Sequence, residues 1–135
     1  MTRHESRCEA FCLMFEYSFG GEPGEIIKNA VEYREETVSG FAGKLFNGAV
    51  EHISEIDSAI AALSPRRAVN RIARVPLACL RIAVYELLFT DTPHEIAVNE
   101  AVEICREYNC EDSVSFVNGV LAGVIENAGK NGNAQ

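Results

Sequence analysis

No run of roughly eighteen apolar residues occurs in the chain, so nothing in it reads as a helix that crosses a bilayer. The opening residues, Met1-Thr2-Arg3-His4-Glu5, are polar and lead into an amphipathic pattern unlike a secretory leader. A cytoplasmic protein with no membrane partner is the expectation. A glycine-rich phosphate loop, a G-x-S-x-G elbow and an H-E-x-x-H pair are also missing, which leaves the common hydrolytic and phosphoryl-transfer mechanisms without an anchor. Strand alternation, internal repeats and low-complexity tracts are absent as well.

Metal ligands are sparse. Cys8, Cys12, Cys79, Cys105 and Cys110 are an odd number for a disulfide framework, and four of them fall inside helical patterns as small apolar residues, so they read as reduced thiols. Cys8 and Cys12 share a helix face with His4 one turn earlier, but no second closely spaced ligand pair exists. No metal site and no cofactor are expected. Glu95, Glu100 and Glu103 near His94 read as a helix cap and a solvated helix edge. No residue is assigned a catalytic role, and the chain does not read as an enzyme.

Acidic residues outnumber basic ones, 20 to 12, for a formal charge of −8. That excess argues against indiscriminate nucleic-acid binding, because phosphate contacts supply most of such affinity. The distribution is uneven, however. Ser64 to Arg81 holds Arg66, Arg67, Arg71, Arg74 and Arg81 and no acid, a single concentrated positive segment.

With 135 residues the chain has room for one ordinary domain and its core, here taken as 1–130. Thr2-Arg3-His4-Glu5 forms a capping-box pattern for a first helix carrying Phe11, Met14 and Phe15, which stops at Gly20-Gly21. Pro23-Gly24 opens a short second helix with Ile27, Ala30 and Val31, fraying around Glu35-Glu36-Thr37. From Ala42 through Leu45, Phe46, Ala49, Ile53, Ile56 and Ile60 to Leu63 the helical period is unbroken. The pattern predicts one helix of about six or seven turns as the spine of the N-terminal half.

Ser64-Pro65 marks the boundary between the halves and Pro76 interrupts the arginine segment. A helix then runs to about Phe89 with Leu77, Leu80, Val84, Leu87 and Leu88 inward and Arg81 and Tyr85 at the edge of that face. Thr92-Pro93-His94-Glu95 predicts a capped helix start, with Ala97, Val98, Ala101, Ile104, Cys105 and Tyr108 on one face and an end near Asn109. Glu111 and Asp112 offer acceptors to a last helix that buries Val117, Val120, Leu121 and Val124. Gly119 and Gly123, four apart, are expected to let a neighbouring helix come close. Residues 129–135 are expected to be a disordered tail. The fold class is all-α: about seven helices in two packed halves, about 1–63 and 64–128.

Three blocks, Arg81-Ile82-Ala83-Val84-Tyr85-Glu86-Leu87, Ala97-Val98-Asn99-Glu100-Ala101-Val102-Glu103 and Phe116-Val117-Asn118-Gly119-Val120-Leu121, closely resemble the NusB transcription antitermination factors in order and spacing. The resemblance implies an all-helical factor that binds single-stranded, boxA-type RNA together with NusE, a small-subunit ribosomal protein. It would act indirectly on the RNA polymerase elongation complex, promoting read-through and ribosomal RNA transcription. Carried over residue by residue, it implies RNA contacts at Arg3, Arg7, Arg81, Asp112, Ser113, Phe116 and Asn118, and partner contacts at Arg74, Tyr85 and Glu86. Phe116 would offer a stacking face and Asn118 an amide for a base edge.

The chain also departs from the family pattern. Arg3 and Arg7 alone represent an arginine-rich segment, Arg67 stands where many relatives carry tryptophan, and Pro76 and Leu77 replace an acidic and a basic residue. Two other readings remain beside the first: an accessory helical domain related to that of RNA cytosine methyltransferases, or a protein-interaction module that has lost RNA binding.

Overall fold

The computed structural model describes residues 2–33, 38, 40–64 and 68–133. Among them the chain forms seven α-helices and two short 3-10 turns, with no strand. The helices are α1 (Arg3–Tyr17), α2 (Pro23–Tyr33), α3 (Gly40–Glu51), α4 (Ile53–Ala62), α5 (Arg74–Phe89), α6 (His94–Glu107) and α7 (Val114–Asn133). No helix among the described residues is long and apolar enough to cross a membrane.

The start of α1 is the capping box read from the sequence. The Glu5 amide donates to the Thr2 hydroxyl at 3.1 Å, and the Glu5 carboxylate accepts from the Thr2 amide at 3.4 Å. After α1 the chain turns at Gly20 and Gly21, whose φ angles of 93° and 122° suit glycine. The fraying expected at Glu35-Glu36-Thr37, and Pro65, Arg66 and Arg67, lie outside the described residues.

The single long helix expected over Ala42–Leu63 is instead two, α3 and α4, divided at His52. Backbone hydrogen bonds continue across the division, from the His52 amide to Gly48 and from the Ile56 amide to His52. The apolar period therefore survives across the interruption. What departs is the His52 backbone, at φ −106° and ψ 24°, and its imidazole lies flat on the Phe89 ring at 4.0 Å and 14°. This ring docks onto α5 at the interruption, one turn after Gly48.

The central element is α5. It packs against α1, α3, α4, α6 and α7, and Pro76 through Leu80, Ile82 to Val84, Glu86 and Leu87 are all buried. A helix surrounded in this way cannot keep a polar face. Pro76 sits in the first turn, where its missing N–H costs nothing, so it begins this helix without interrupting it.

Two details of α6 and α7 differ from expectation. Thr92 does not cap α6: Pro93 is at the cap position with no side-chain bond. The Thr92 amide instead donates to the Thr90 hydroxyl at 3.2 Å. The helix closes through Asn109, whose left-handed φ of 59° lets the Cys110 amide reach the Cys105 carbonyl at 2.7 Å. That closure swings Tyr108 off the buried face, leaving it 39% exposed.

On α7, Val117, Val120, Leu121 and Val124 are buried as the period predicts. Of the two glycines, only Gly123 makes a close approach, against the Leu63 side chain; Gly119 faces open space. The helix continues to Asn133, into the stretch expected to be a tail.

Candidate nucleic-acid interface

Arg7 on α1 and Glu86 on α5 face each other in the interior. Arg7 Nε donates to the two Glu86 carboxylate oxygens at 2.9 and 3.2 Å, and the residues are 7% and 1% exposed. Burial raises the Glu86 carboxyl above its ordinary range, against the pull of the Arg7 guanidinium. Neither side chain presents a surface to RNA or to a partner protein. Their reach is indirect, through the placing of α1 on α5.

Arg3, one turn before Arg7, is exposed and stacks its guanidinium 3.9 Å from the centre of the Phe41 ring; Arg7 lies 5.3 Å from the same ring. This aromatic support holds a cation at the surface. Arg3 is thus the accessible member of the pair expected on α1.

Within the positive segment the arginines have divergent fates. Arg81 is clamped to Asp57 on α4 by two parallel bonds, Nε to Oδ1 at 3.0 Å and Nη2 to Oδ2 at 2.8 Å, with 11% of its side chain exposed. Arg71 is exposed. Arg74 lies over the Phe19 ring at 4.2 Å. Arg74, Arg81, Asp57 and Asn70 line one open cleft of about 430 Å³ between the end of α1 and the start of α5. The sequence gives no sign of Asp57, which cancels the charge of Arg81 from twenty-four positions away.

Asp112, Ser113, Phe116 and Asn118 lie along the 3-10 turn Glu111–Ser113 and the first turns of α7. Asp112 and Asn118 are exposed, whereas Ser113 and Phe116 are half-buried. Phe116 packs partly on the core, so a firm seat is combined with an accessible portion. Asp112, Ser113 and Phe116 follow one another over the turn into α7, while Asn118, two residues past Phe116, projects to another side of the helix. Arg106, at the end of α6, lies 3.5 Å from Glu111 beside them.

Of the expected partner contacts, Glu86 is interior and Tyr85 is half-buried. Tyr85 stacks with His52 and Phe89 at 6.3 and 5.8 Å, and its hydroxyl occupies the space that a side chain at Gly48 would take. Arg74 does reach a surface. It borders an open groove of about 500 Å³ whose walls include Phe15, Phe19, Pro76, Tyr108 and Cys110. Phe19, 60% exposed, meets Phe15 edge-on at 5.1 Å. Sequence reasoning missed Phe19 and Tyr108 as surface aromatics. The Gly20-Gly21 stop and the Asn109 cap were the available signals, because a residue next to a helix end leaves the buried face.

Known proteins match both the sequence and the fold of the chain. Residues 4–126 match the NusB family. The chain is 36% identical over 132 residues to the transcription antitermination protein NusB of Clostridium novyi (strain NT), covering 93% of this chain and 99% of that one. Among solved structures it resembles NusB of T. maritima, with a TM-score of 0.82 and 30% identity over 93% of this chain and 92% of that one. It also resembles a chain in a crystal structure of the antitermination factors NusB and NusE in complex with double-stranded RNA. There the TM-score is 0.79 and the identity 31%, over 93% of this chain and 98% of that one.

Proposed function

Since the chain belongs to the NusB family, we propose that it binds a short single-stranded RNA element of boxA type together with NusE and thereby helps RNA polymerase read through terminators. The antitermination role comes with the family and is not an enzymatic one. The observation that carries the RNA half is the stretch at the start of α7, where Phe116 is seated but not sealed and Asp112 and Asn118 are exposed. A solved relative joins NusB, NusE and RNA in one complex, which supports a shared surface in this chain as well. In that complex the RNA is double-stranded, so strandedness is a point the experiment must read.

For the partner, the reading rests on the groove between α1, α5 and α6, with Phe19 and Tyr108 exposed and Arg74 at its edge. Exposed aromatics beside an arginine are the residue types that anchor protein interfaces. Pro76 lines this groove where the family pattern has an acidic residue, which makes the contact more apolar.

A second reading has its own support. Arg7 and Arg81 are both engaged by carboxylates, which removes two cations from an already acidic protein and favours an interaction module without RNA affinity. Titrating fluorescent single-stranded boxA RNA, its scrambled counterpart and its duplex form, each with and without NusE, separates the two. RNA affinity that appears or rises with NusE and prefers the single-stranded boxA sequence supports the first reading. NusE binding with no RNA response establishes the second.

A further inference from the structure

A second cluster of chemically versatile side chains lies at the contact between the start of α1 and the end of α6, and the RNA and partner surfaces do not use it. His4 and Cys8 are one turn apart on the same face of α1. Glu107, the last residue of α6, comes up against both. His4 Nε2 lies 2.6 Å from Glu107 Oε1 and 3.7 Å from Cys8 Sγ, and Cys8 Sγ lies 3.5 Å from the other Glu107 oxygen. The sequence offers His4 and Cys8 but no neighbour to complete them. The missing ligand arrives from the far end of the chain.

We propose that His4, Cys8 and Glu107 form a binding site for a divalent cation of the zinc type, clamping α1 to α6.

The geometry needs only a small adjustment. An ion about 2.0–2.3 Å from nitrogen, oxygen and sulfur ligands in tetrahedral array holds those atoms roughly 3.3–3.7 Å apart. Cys8 Sγ already stands at such distances from His4 Nε2 and from Glu107 Oε2, whereas Nε2 meets the other carboxylate oxygen, Oε1. The Nε2 to Oε1 separation is shorter because a hydrogen bond now spans it, and an ion taking the place of that proton would open it by less than about 1 Å. One nitrogen, one sulfur and one oxygen ligand form a set that suits zinc and excludes magnesium and calcium, which require oxygen alone.

The surroundings supply what a bound imidazole needs. His4 Nδ1 is 2.6 Å from Glu100 Oε2, one more residue of α6, and that carboxylate would hold the proton on Nδ1 and present Nε2 to the ion. His4 and Cys8 are half-buried and Glu107 is exposed, so the ion has a route in and the fourth position is open to water. A cysteine thiol near neutral pH is mostly protonated, and the thiolate is the form that binds metal. Binding must therefore expel a proton, as it does at other thiolate sites. Cys12, one turn further along α1, is turned toward the Tyr108 hydroxyl at 3.4 Å and is not part of the set.

The competing arrangement needs no ion: a protonated His4 bridging Glu100 and Glu107. Calorimetric titration of the untagged protein with zinc chloride in two buffers of different ionisation heat distinguishes them. Cobalt substitution, read by thiolate-to-cobalt charge-transfer absorption, is the second measurement. One equivalent of zinc with proton release and a tetrahedral cobalt spectrum is expected. Cys8→Ala should abolish the charge-transfer band and weaken zinc binding at least about tenfold, and Glu100→Gln should weaken it by about 10- to 100-fold while leaving the band in place. Cys12→Ala should change neither. Zinc affinity unchanged by Cys8→Ala, a band that disappears with Cys12→Ala, or no stoichiometric uptake overturns the proposal. Because Cys8→Ala is small and conservative, an unaltered far-UV spectrum keeps the test independent of folding.

Discussion

Arg7 Nε sits between the two carboxylate oxygens of Glu86, at 2.9 and 3.2 Å, and joins helices whose partners are seventy-nine positions apart. The family resemblance implies contacts with other molecules for both residues, yet both are interior. A buried pair of this kind adds little net stability, because desolvation offsets most of the attraction, yet it penalises any arrangement that separates the charges. Its effect is therefore on the register between α1 and α5, and hence on where Arg3 and the α1 end of the partner groove stand.

The pair gives a pH dependence of known sign. The folded carboxyl of Glu86 lies above its ordinary value of 4.5, chiefly through burial. Its contribution to stability is therefore fully present below that value and is lost as pH rises through the folded value. Arg7 opposes the shift. Arg7→Met should accordingly extend the loss to higher pH and cost about 3–5 kcal/mol near pH 8, shrinking toward pH 5 as Glu86 takes up its proton. Urea midpoints over that range check it, with Arg7→Met/Glu86→Gln restoring the flatter profile. Parallel curves for Arg7→Met and the parent would show that Glu86 does not respond to Arg7.

The glycines of α7 should behave oppositely. A methyl group at Gly119 meets nothing within 4 Å, whereas at Gly123 it would meet the Leu63 methyl carbons at 2.7 and 2.9 Å. Gly119→Ala should therefore raise stability by about 1 kcal/mol from helix propensity alone. Gly123→Ala should lose that gain to overpacking, by about 1–3 kcal/mol. Thermal melts of the two variants decide it, and equal shifts would mean that Leu63 gives way freely.

What was legible in the sequence is what repeats locally. The apolar periods of α1, α6 and α7, the Thr2–Glu5 capping box and the Gly20-Gly21 stop are patterns of a few residues, and they fix where helices run. The break at His52 was hidden because the apolar period and the backbone hydrogen bonds both cross it; what marks it is the His52 backbone and the stacking of its ring on Phe89. The fates of Arg7 and Arg81 were hidden for a related reason. An arginine reads as a surface cation until the fold brings Glu86 or Asp57 to it, and nothing near it in the chain announces that partner. Phe116, for which the family resemblance implies a stacking face, is half-buried.

Arg81 and Asp57 provide a direct test of whether a clamped cation still serves RNA. Arg81→Glu would set two carboxylates face to face, so its effect on binding would be confounded with folding. Asp57→Asn is cleaner: it keeps the shape, removes the competing charge and frees the guanidinium. RNA affinity should rise with Asp57→Asn, and the single-strand salt slope should steepen by up to about 0.7 if one more phosphate is engaged. Stability should fall by about 1 kcal/mol for this partly exposed pair. An unchanged slope would place Arg81 outside the RNA path and leave it a link between α4 and α5.

Phe116 poses the last question, because an aromatic ring half in the core can matter to RNA by stacking or merely by holding α7 in place. Alanine alone cannot separate these, since it removes both. Leucine can, for it refills most of the apolar volume but offers no π-face. Stacking predicts that Phe116→Leu and Phe116→Ala lose comparable RNA affinity, about 1–3 kcal/mol or roughly five- to 150-fold, while only Phe116→Ala loses stability appreciably. The salt slope should be the same in both variants as in the parent, because a base stacked on a ring releases few counterions. NusE should raise the affinity of all three forms by a similar factor if it engages the separate groove at Phe19 and Tyr108, whereas a factor that collapses with Phe116 would mean that the two surfaces are energetically coupled. Fluorescent-RNA titrations over a salt series, paired with thermal melts, measure all of these quantities. Full RNA affinity in Phe116→Leu would show that the ring packs α7 and that bases are bound elsewhere.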